Sequence, residues 1–188
     1  MSREWNALGL SHRFLRQHVR PGDFVVDATA GNGNDTLFLS RLVGERGRVL
    51  AMDIQPRAME NTGALLQKEG VENVRLVLDG HENMAAYAAE GSVDAVAFNF
   101  GWLPAGDHNV FTRKETSLPA VEAGLRLLRS GGAMSLCIYY GRNNGYDERD
   151  ALLQFVRGLD DRVWSVMAVD FANRKNDPPI FVWIVKEG

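Results

Sequence analysis

Residues 24–35 read "FVVDATAGNGND", and the fold turns on how they divide. Phe24, Val25 and Val26 are aromatic and β-branched residues, suited to a buried strand. Asp27 ends that run. A loop with glycines at Gly31 and Gly33 then leads into a helix that opens near Asp35. Glycine at these places permits positive φ and lets a ligand approach the backbone. The unpaired N–H groups of the first helical turn face the same space. Strand, glycine loop and helix in that order begin a βα unit.

The same alternation runs outward along the chain. "GRVLAMDI" (47–54) is the second strand, Pro56 sits at a first helical position, and that helix stops near Gly70. "VRLVL" (74–78) and "VDAVAFNF" (93–100) are strands three and four. A helix over about 118–128 and a turn at Gly131-Gly132 lead to a fifth, "AMSLCIYY" (133–140). After a helix over about 147–159 come "RVWSVMAVDF" (162–171) and "IFVWIVK" (180–186), joined only by "ANRKNDPP". That joint is too short for a crossover helix, so the last two strands pair antiparallel. Upstream, an amphipathic helix over about 4–19 carries Trp5, Leu8, Leu15 and Val19 on one stripe, and Pro21-Gly22 breaks it. The expectation is one α/β domain over 1–188, doubly wound and mostly parallel, closed by a C-terminal antiparallel hairpin.

Composition narrows the class. The 188 residues are 45% hydrophobic and 24% charged, ordinary for a soluble globular domain, and no apolar run approaches a membrane span. The first ten residues lack the layout of a signal peptide, so a cytoplasmic protein without a membrane partner is expected. Cys137, the only cysteine, lies in an apolar run and reads as a buried small hydrophobe. No Cys/His spacing suggests a metal site. A net charge of −3 argues against a protein that coats nucleic acid. Residues 1–20 nevertheless hold Arg3, Arg13, Arg16 and Arg20 against Glu4, a basic edge able to meet phosphates.

The loop after strand one departs from the dinucleotide fingerprint, because Thr36 stands where the third small residue belongs and Asp27 precedes the loop. D-x-x-x-G-x-G suits a cofactor with an amino-acid end better than a pyrophosphate. Asp53, closing strand two, is placed to accept hydrogen bonds from both hydroxyls of a ribose; the alternative is a cap for the helix at Pro56. In "DGHEN", Asp79, Gly80 and His81 follow strand three on the same edge, near an adenine, although a lone histidine there is as often a surface residue.

With these pieces placed, the chain resembles a class I S-adenosylmethionine-dependent methyltransferase with a seven-stranded Rossmann-like sheet. More narrowly, it resembles a small bacterial family labelled rRNA methylase, whose members are associated with methylating 5-aminomethyl-2-thiouridine at the tRNA wobble position. The carriers are "VVDATAGNGNDT", "DIQ", "FNFGWLPAGD", "YYGRNNGYDE" and "NDPPIFVWIVK". The resemblance implies S-adenosylmethionine as cofactor, held by Asn32 and Asn34 in the loop, Asp53 and Gln55, and Gly80 and His81. Asp27, Gly31, Gly33 and Asp35 complete the expected cofactor set. The family often has Gly-His at Gly141-Arg142 and a second glycine at Ala105, so the substrate contacts of those loops differ here.

"NFGWLPAGD" (99–107) resembles the N-P-P-Y type tetrad that amino-group methyltransferases carry after strand four. The Asn99 carboxamide oxygen can accept a hydrogen bond from an amine and aim its lone pair at a methyl carbon, which makes Asn99 the catalytic candidate. Trp102 offers a face on which a base can stack. Leu103, Pro104, Asp107, Tyr140 and Arg142 complete the expected substrate contacts. Tyr139 ends strand five beside the same opening, and His12 reads as packed or hydrogen bonded. The expected partner is a tRNA anticodon loop, met by Arg13, Arg16, Arg142, Arg174 and Lys175, with room for a homodimer. The alternatives are an rRNA, small-molecule or protein amine as acceptor, or a non-catalytic nucleotide-binding module.

Overall fold

A computed structural model describes residues 5–101, 112–141 and 145–188. Seven strands form one sheet: β1 (Phe24–Asp27), β2 (Arg48–Asp53), β3 (Val74–Leu78), β4 (Val93–Phe100), β5 (Leu128–Ile138), β6 (Trp164–Val169) and β7 (Ile180–Lys186). Their order is β3-β2-β1-β4-β5-β7-β6, with β1 to β5 parallel and β7 antiparallel to both of its neighbours. The expected C-terminal hairpin is therefore present, inserted so that its second strand meets β5.

The helices are α1 (Ala7–His18), α2 (Asn34–Val43), α3 (Pro56–Lys68), α4 (Lys114–Leu127) and α5 (Tyr146–Arg157), with a 3₁₀ turn over His81–Ala86. Period-two alternation sends neighbouring strand residues to opposite faces. Val25, Ala95, Ala97, Phe181 and Trp183 pack with Leu10, Leu15, Leu39 and Val43 on one face. Val26, Val96, Phe98 and Phe100 pack with Met84, Val121, Leu152 and Val156 on the other. Both faces of the parallel strands are covered, as such a sheet requires.

Several sequence-based boundaries move. The first helix begins at Ala7 because Asn6 caps it, its side-chain oxygen accepting from the Gly9 N–H at 2.7 Å. Trp5 precedes the cap and is 60% exposed, so it is not on the buried stripe, which is Ala7, Leu10, Ser11 and Leu15. The fourth helix starts at Lys114, four residues ahead of the expected start, and carries Pro119 inside. The ring there costs one intrahelical hydrogen bond, and a buried face of Ser117, Ala120, Val121 and Gly124 holds the helix in place. Strand β5 starts at Leu128, not at Ala133: Leu128 pairs with Val93 and Ala133 with Ala95, so the expected Gly131-Gly132 turn is an irregularity inside the strand. Gly131 has φ +73° there. Cys137 is fully buried, and burial pushes its thiol up to about 12.

The chain runs outward through β1, β2 and β3, then returns to place β4 beside β1. The order reverses at that pair, leaving a crevice past the carboxyl ends of β1 and β4, where open α/β sheets bind ligands. No helix among the described residues is long and apolar enough to cross a membrane.

Candidate active site

A cavity of about 360 Å³ lies in this crevice. Its walls come from the loop after β1 (Thr29, Ala30, Gly31, Asn32), the start of α2 (Asn34, Asp35), the end of β4 (Asn99, Phe100, Gly101), Leu8 of α1 and Tyr139 beyond β5. The loop turns through Gly31 (φ +55°) and Gly33 (φ +81°). A Cβ on Gly33 would lie 2.9 Å from the Thr62 Cα, so glycine is required both by conformation and by the close approach of α3.

Hydrogen bonds tie the loop to the strand ends. The Asn99 backbone N–H donates to Thr29 Oγ1 at 2.7 Å, and the Gly31 N–H donates to Asp53 Oδ2 at 3.0 Å. Asp53 Oδ1 accepts from the Gln55 N–H at 2.9 Å, the same acidic group thereby ordering the turn into α3. Asn99 Nδ2 donates to Asp35 Oδ2 at 2.6 Å, and His12 Nε2 meets Asp35 Oδ1 at 2.7 Å.

Among the residues expected from sequence, Gly31, Asn32, Asn34, Asp35 and Asn99 line this cavity together. Asp27 lies beneath it, fully buried, accepting from the Thr36 hydroxyl at 2.6 Å and the Thr29 N–H at 3.2 Å. Burial, helped by the nearby Asp35 charge, pushes the Asp27 carboxyl up to about 7. Gly33 faces α3, while Asp53, Gln55, Gly80 and His81 continue along the strand ends. His81 is 8% exposed and sits edge-on to Phe98 and Phe100, so the surface alternative for it falls away. Burial lowers its pKa, disfavouring the charged ring. Tyr140 packs edge-on against Tyr146 with Arg149 over its ring. Trp102, Leu103, Pro104, Asp107 and Arg142 lie outside the described residues.

Sequence reasoning missed Leu8, Thr29 and Phe100 on the walls and passed over Tyr139 in favour of its neighbour. Strand periodicity contained that last signal: Cys137 and Tyr139 share one face of the sheet, and Cys137 pairs with Asn99. His12, expected to be packed or hydrogen bonded, is both: it stacks on Phe38 with ring centroids 4.1 Å apart and bonds Asp35, a partner that only the tertiary structure identifies.

The electrostatics favour a cation. Asp35 and Asp53 make their bonds to His12, Asn99 and backbone N–H groups, and no lysine or arginine among the described residues pairs with either. A ligand bearing positive charge would gain from both carboxylates. Among the described residues, no group of His, Cys, Asp and Glu could hold a metal ion.

Comparison with known proteins gives consistent results. The family described as "Putative rRNA methylase" matches residues 49–185. The chain is 36% identical to "tRNA (mnm(5)s(2)U34)-methyltransferase, chloroplastic" of Arabidopsis thaliana, over 96% of this chain and 69% of that protein. A crystal structure of a "putative rRNA-methylase" from Clostridium thermocellum superposes with TM-score 0.94 at 46% identity, covering 96% of this chain and 97% of the other. A "putative methyltransferase" from Streptococcus mutans, crystallised in complex with SAH, gives TM-score 0.88 at 39% identity, covering 96% and 98%.

Proposed function

The chain belongs to the family described as "Putative rRNA methylase", and from that premise we propose that it methylates the primary amine of 5-aminomethyl-2-thiouridine at the tRNA wobble position. The coarser activity is a methyltransferase that uses S-adenosylmethionine. The site fits this cofactor on its own terms: a glycine loop on the cavity wall, and two carboxylates with which no described lysine or arginine pairs, suit a molecule with an ammonium and a sulfonium. In this reading Gly31, Asn32, Asn34 and Asp35 hold its amino-acid end, Asp53 the ribose hydroxyls, and Gly80 and His81 the adenine side. When bound, S-adenosylmethionine would supply an electrophilic methyl group.

The observation that carries the amine reading is the Asn99 carboxamide on the cavity wall, its nitrogen committed to Asp35 and its oxygen left to accept. Asn99 orients a neutral amine by accepting one of its N–H bonds, so that the lone pair points at the methyl group. The N–C bond forms as the C–S bond breaks, its electron pair staying on sulfur, and the ammonium product then loses a proton to water or a carboxylate. Orientation of this kind is worth up to about 7–11 kcal/mol in favourable intramolecular cases.

The tRNA assignment is supported by the 36% identity, over nearly the whole chain, to a relative whose name specifies this nucleotide. An anticodon loop also presents unpaired bases that can be splayed out. The family description favours rRNA as a second reading. Incubating labelled S-adenosylmethionine with tRNA and rRNA from cells lacking the activity, followed by nucleoside mass spectrometry, separates them. Label in 5-methylaminomethyl-2-thiouridine is the expected result; label confined to rRNA or a free amine would overturn it. Asn99→Ala is expected to bind cofactor and lose transfer.

A further inference from the structure

Asn99 is held by Asp35, and Asp35 in turn by His12, side chains from different elements. Its Nδ2 donates to Asp35 Oδ2 at 2.6 Å, and the other carboxylate oxygen meets His12 Nε2 at 2.7 Å. The imidazole is fixed by its stack on Phe38, the two planes 21° apart. A line of three groups thus runs from α1 through the start of α2 to the end of β4. Only Asp35 and Asn99 reach the cavity wall; His12 stands behind them.

The chemistry of these groups gives the line a direction. An ionised carboxylate only accepts hydrogen bonds, whereas a carboxamide can present either end. Asp35 therefore requires Asn99 to turn its NH₂ group to the carboxylate, which leaves Oδ1 as the acceptor end of a residue on the cavity wall, and no described residue donates to that oxygen. The carboxylate likewise requires hydrogen on His12 Nε2, so His12 is a donor at that atom. Bonds with one charged member are the stronger kind.

We propose that His12 and Asp35 are positioning residues that fix the polarity of the Asn99 carboxamide, so that the site offers an acceptor, not a donor, to the incoming amine. A reversed amide would donate an N–H to the amine lone pair, the pair that must attack the methyl carbon. The proposal deepens the reading of Asn99 given above and rests on it.

The test uses the full chain with four variants. His12→Phe keeps the stack on Phe38 and removes the donor; His12→Ala removes both. His12→Gln restores a donor, and Asp35→Asn gives Asn99 a partner that no longer dictates its orientation. With cofactor saturating, His12→Phe and His12→Ala are expected to lower kcat by about 10–100-fold, the scale of a small misplacement of reacting groups. In both, kcat falls by a much larger factor than the calorimetric affinity for S-adenosylhomocysteine, and His12→Gln recovers most of the lost rate. Wild-type kcat in His12→Phe, or a His12→Gln protein as slow as His12→Phe, would overturn the proposal.

A second readout needs no substrate. In ¹⁵N-labelled protein the Asn99 side-chain NH₂ resonances are expected to move in His12→Phe and Asp35→Asn, and unmoved resonances count against the network. If wild-type protein methylates no RNA, the functional reading falls, while this spectroscopic arm still decides whether His12 and Asp35 orient Asn99.

Discussion

Asp27 shows how far a residue's role depends on what surrounds it. From sequence it reads as a cofactor ligand; in the fold it is buried under the loop that it orders through Thr29 and Thr36. Its carboxyl, ordinarily near 3.8, stands at about 7 because burial disfavours the charge and Asp35 and Asp53 repel it. The folded state thus keeps a proton that the unfolded chain releases. The stabilisation from this group is complete below about pH 4 and fades as pH rises to about 7, by at most about 4 kcal/mol. Asp27→Asn removes that dependence and keeps partners for Thr29 and Thr36. The melting temperature of the variant relative to wild type is expected to be clearly higher at pH 8 than at pH 5; an equal difference at both would show that Asp27 is not the titrating group. The Asn99→Ala prediction belongs to this scale too, since one carboxamide oxygen separates binding from transfer.

At the scale of elements, α5 does more than cover the sheet. Glu148 in its first turn is 4% exposed and accepts from the Thr112 hydroxyl at 3.0 Å and from the Ser117 hydroxyl. Thr112 in turn accepts from the Gly101 N–H at 2.8 Å and donates its own N–H to the Gly101 carbonyl at 3.0 Å. One carboxylate therefore joins α5, α4 and the end of β4. Glu148→Ala leaves the two hydroxyls without their acceptor and is expected to cost about 1–3 kcal/mol in denaturant unfolding, with Glu148→Gln losing less. An unchanged midpoint in Glu148→Ala would contradict this. The partners of Glu148 were not legible in sequence, because Thr112 and Ser117 lie 36 and 31 residues away along the chain. Strands β3, β4 and β7 were legible to the residue, being apolar runs between clear breaks. The starts of α4 and β5 were not, since Pro119 and Gly131-Gly132 look like punctuation and tertiary packing carries both elements through them.

For the molecule as a whole, a net charge of −3 must be reconciled with the proposed RNA substrate. Three of the arginines expected to meet RNA gather on two aromatic residues at the N-terminal side of the fold. Arg13 and Arg174 both contact the exposed Trp5, the first over its ring and the second at its carbonyl, and Arg16 lies over Phe38. Arg13→Ala and Arg174→Ala are each expected to raise the KM for tRNA with kcat and cofactor affinity unchanged. Each should also lower the slope of log affinity against log salt by about 0.7, the value for one contact to single-stranded nucleic acid. Unchanged slopes would move the RNA to another face. Sequence by itself determined the alternation of strands and helices, the antiparallel closing hairpin and the glycine loop, because periodicity, turn residues and linker length act locally. Only the tertiary structure decided that β4 returns beside β1, that Asp27 lies beneath the cavity and His12 behind it, and that Tyr139 faces it. Burial, and therefore the charge state of a carboxylate or the polarity of an amide, is set by neighbours far away in the chain.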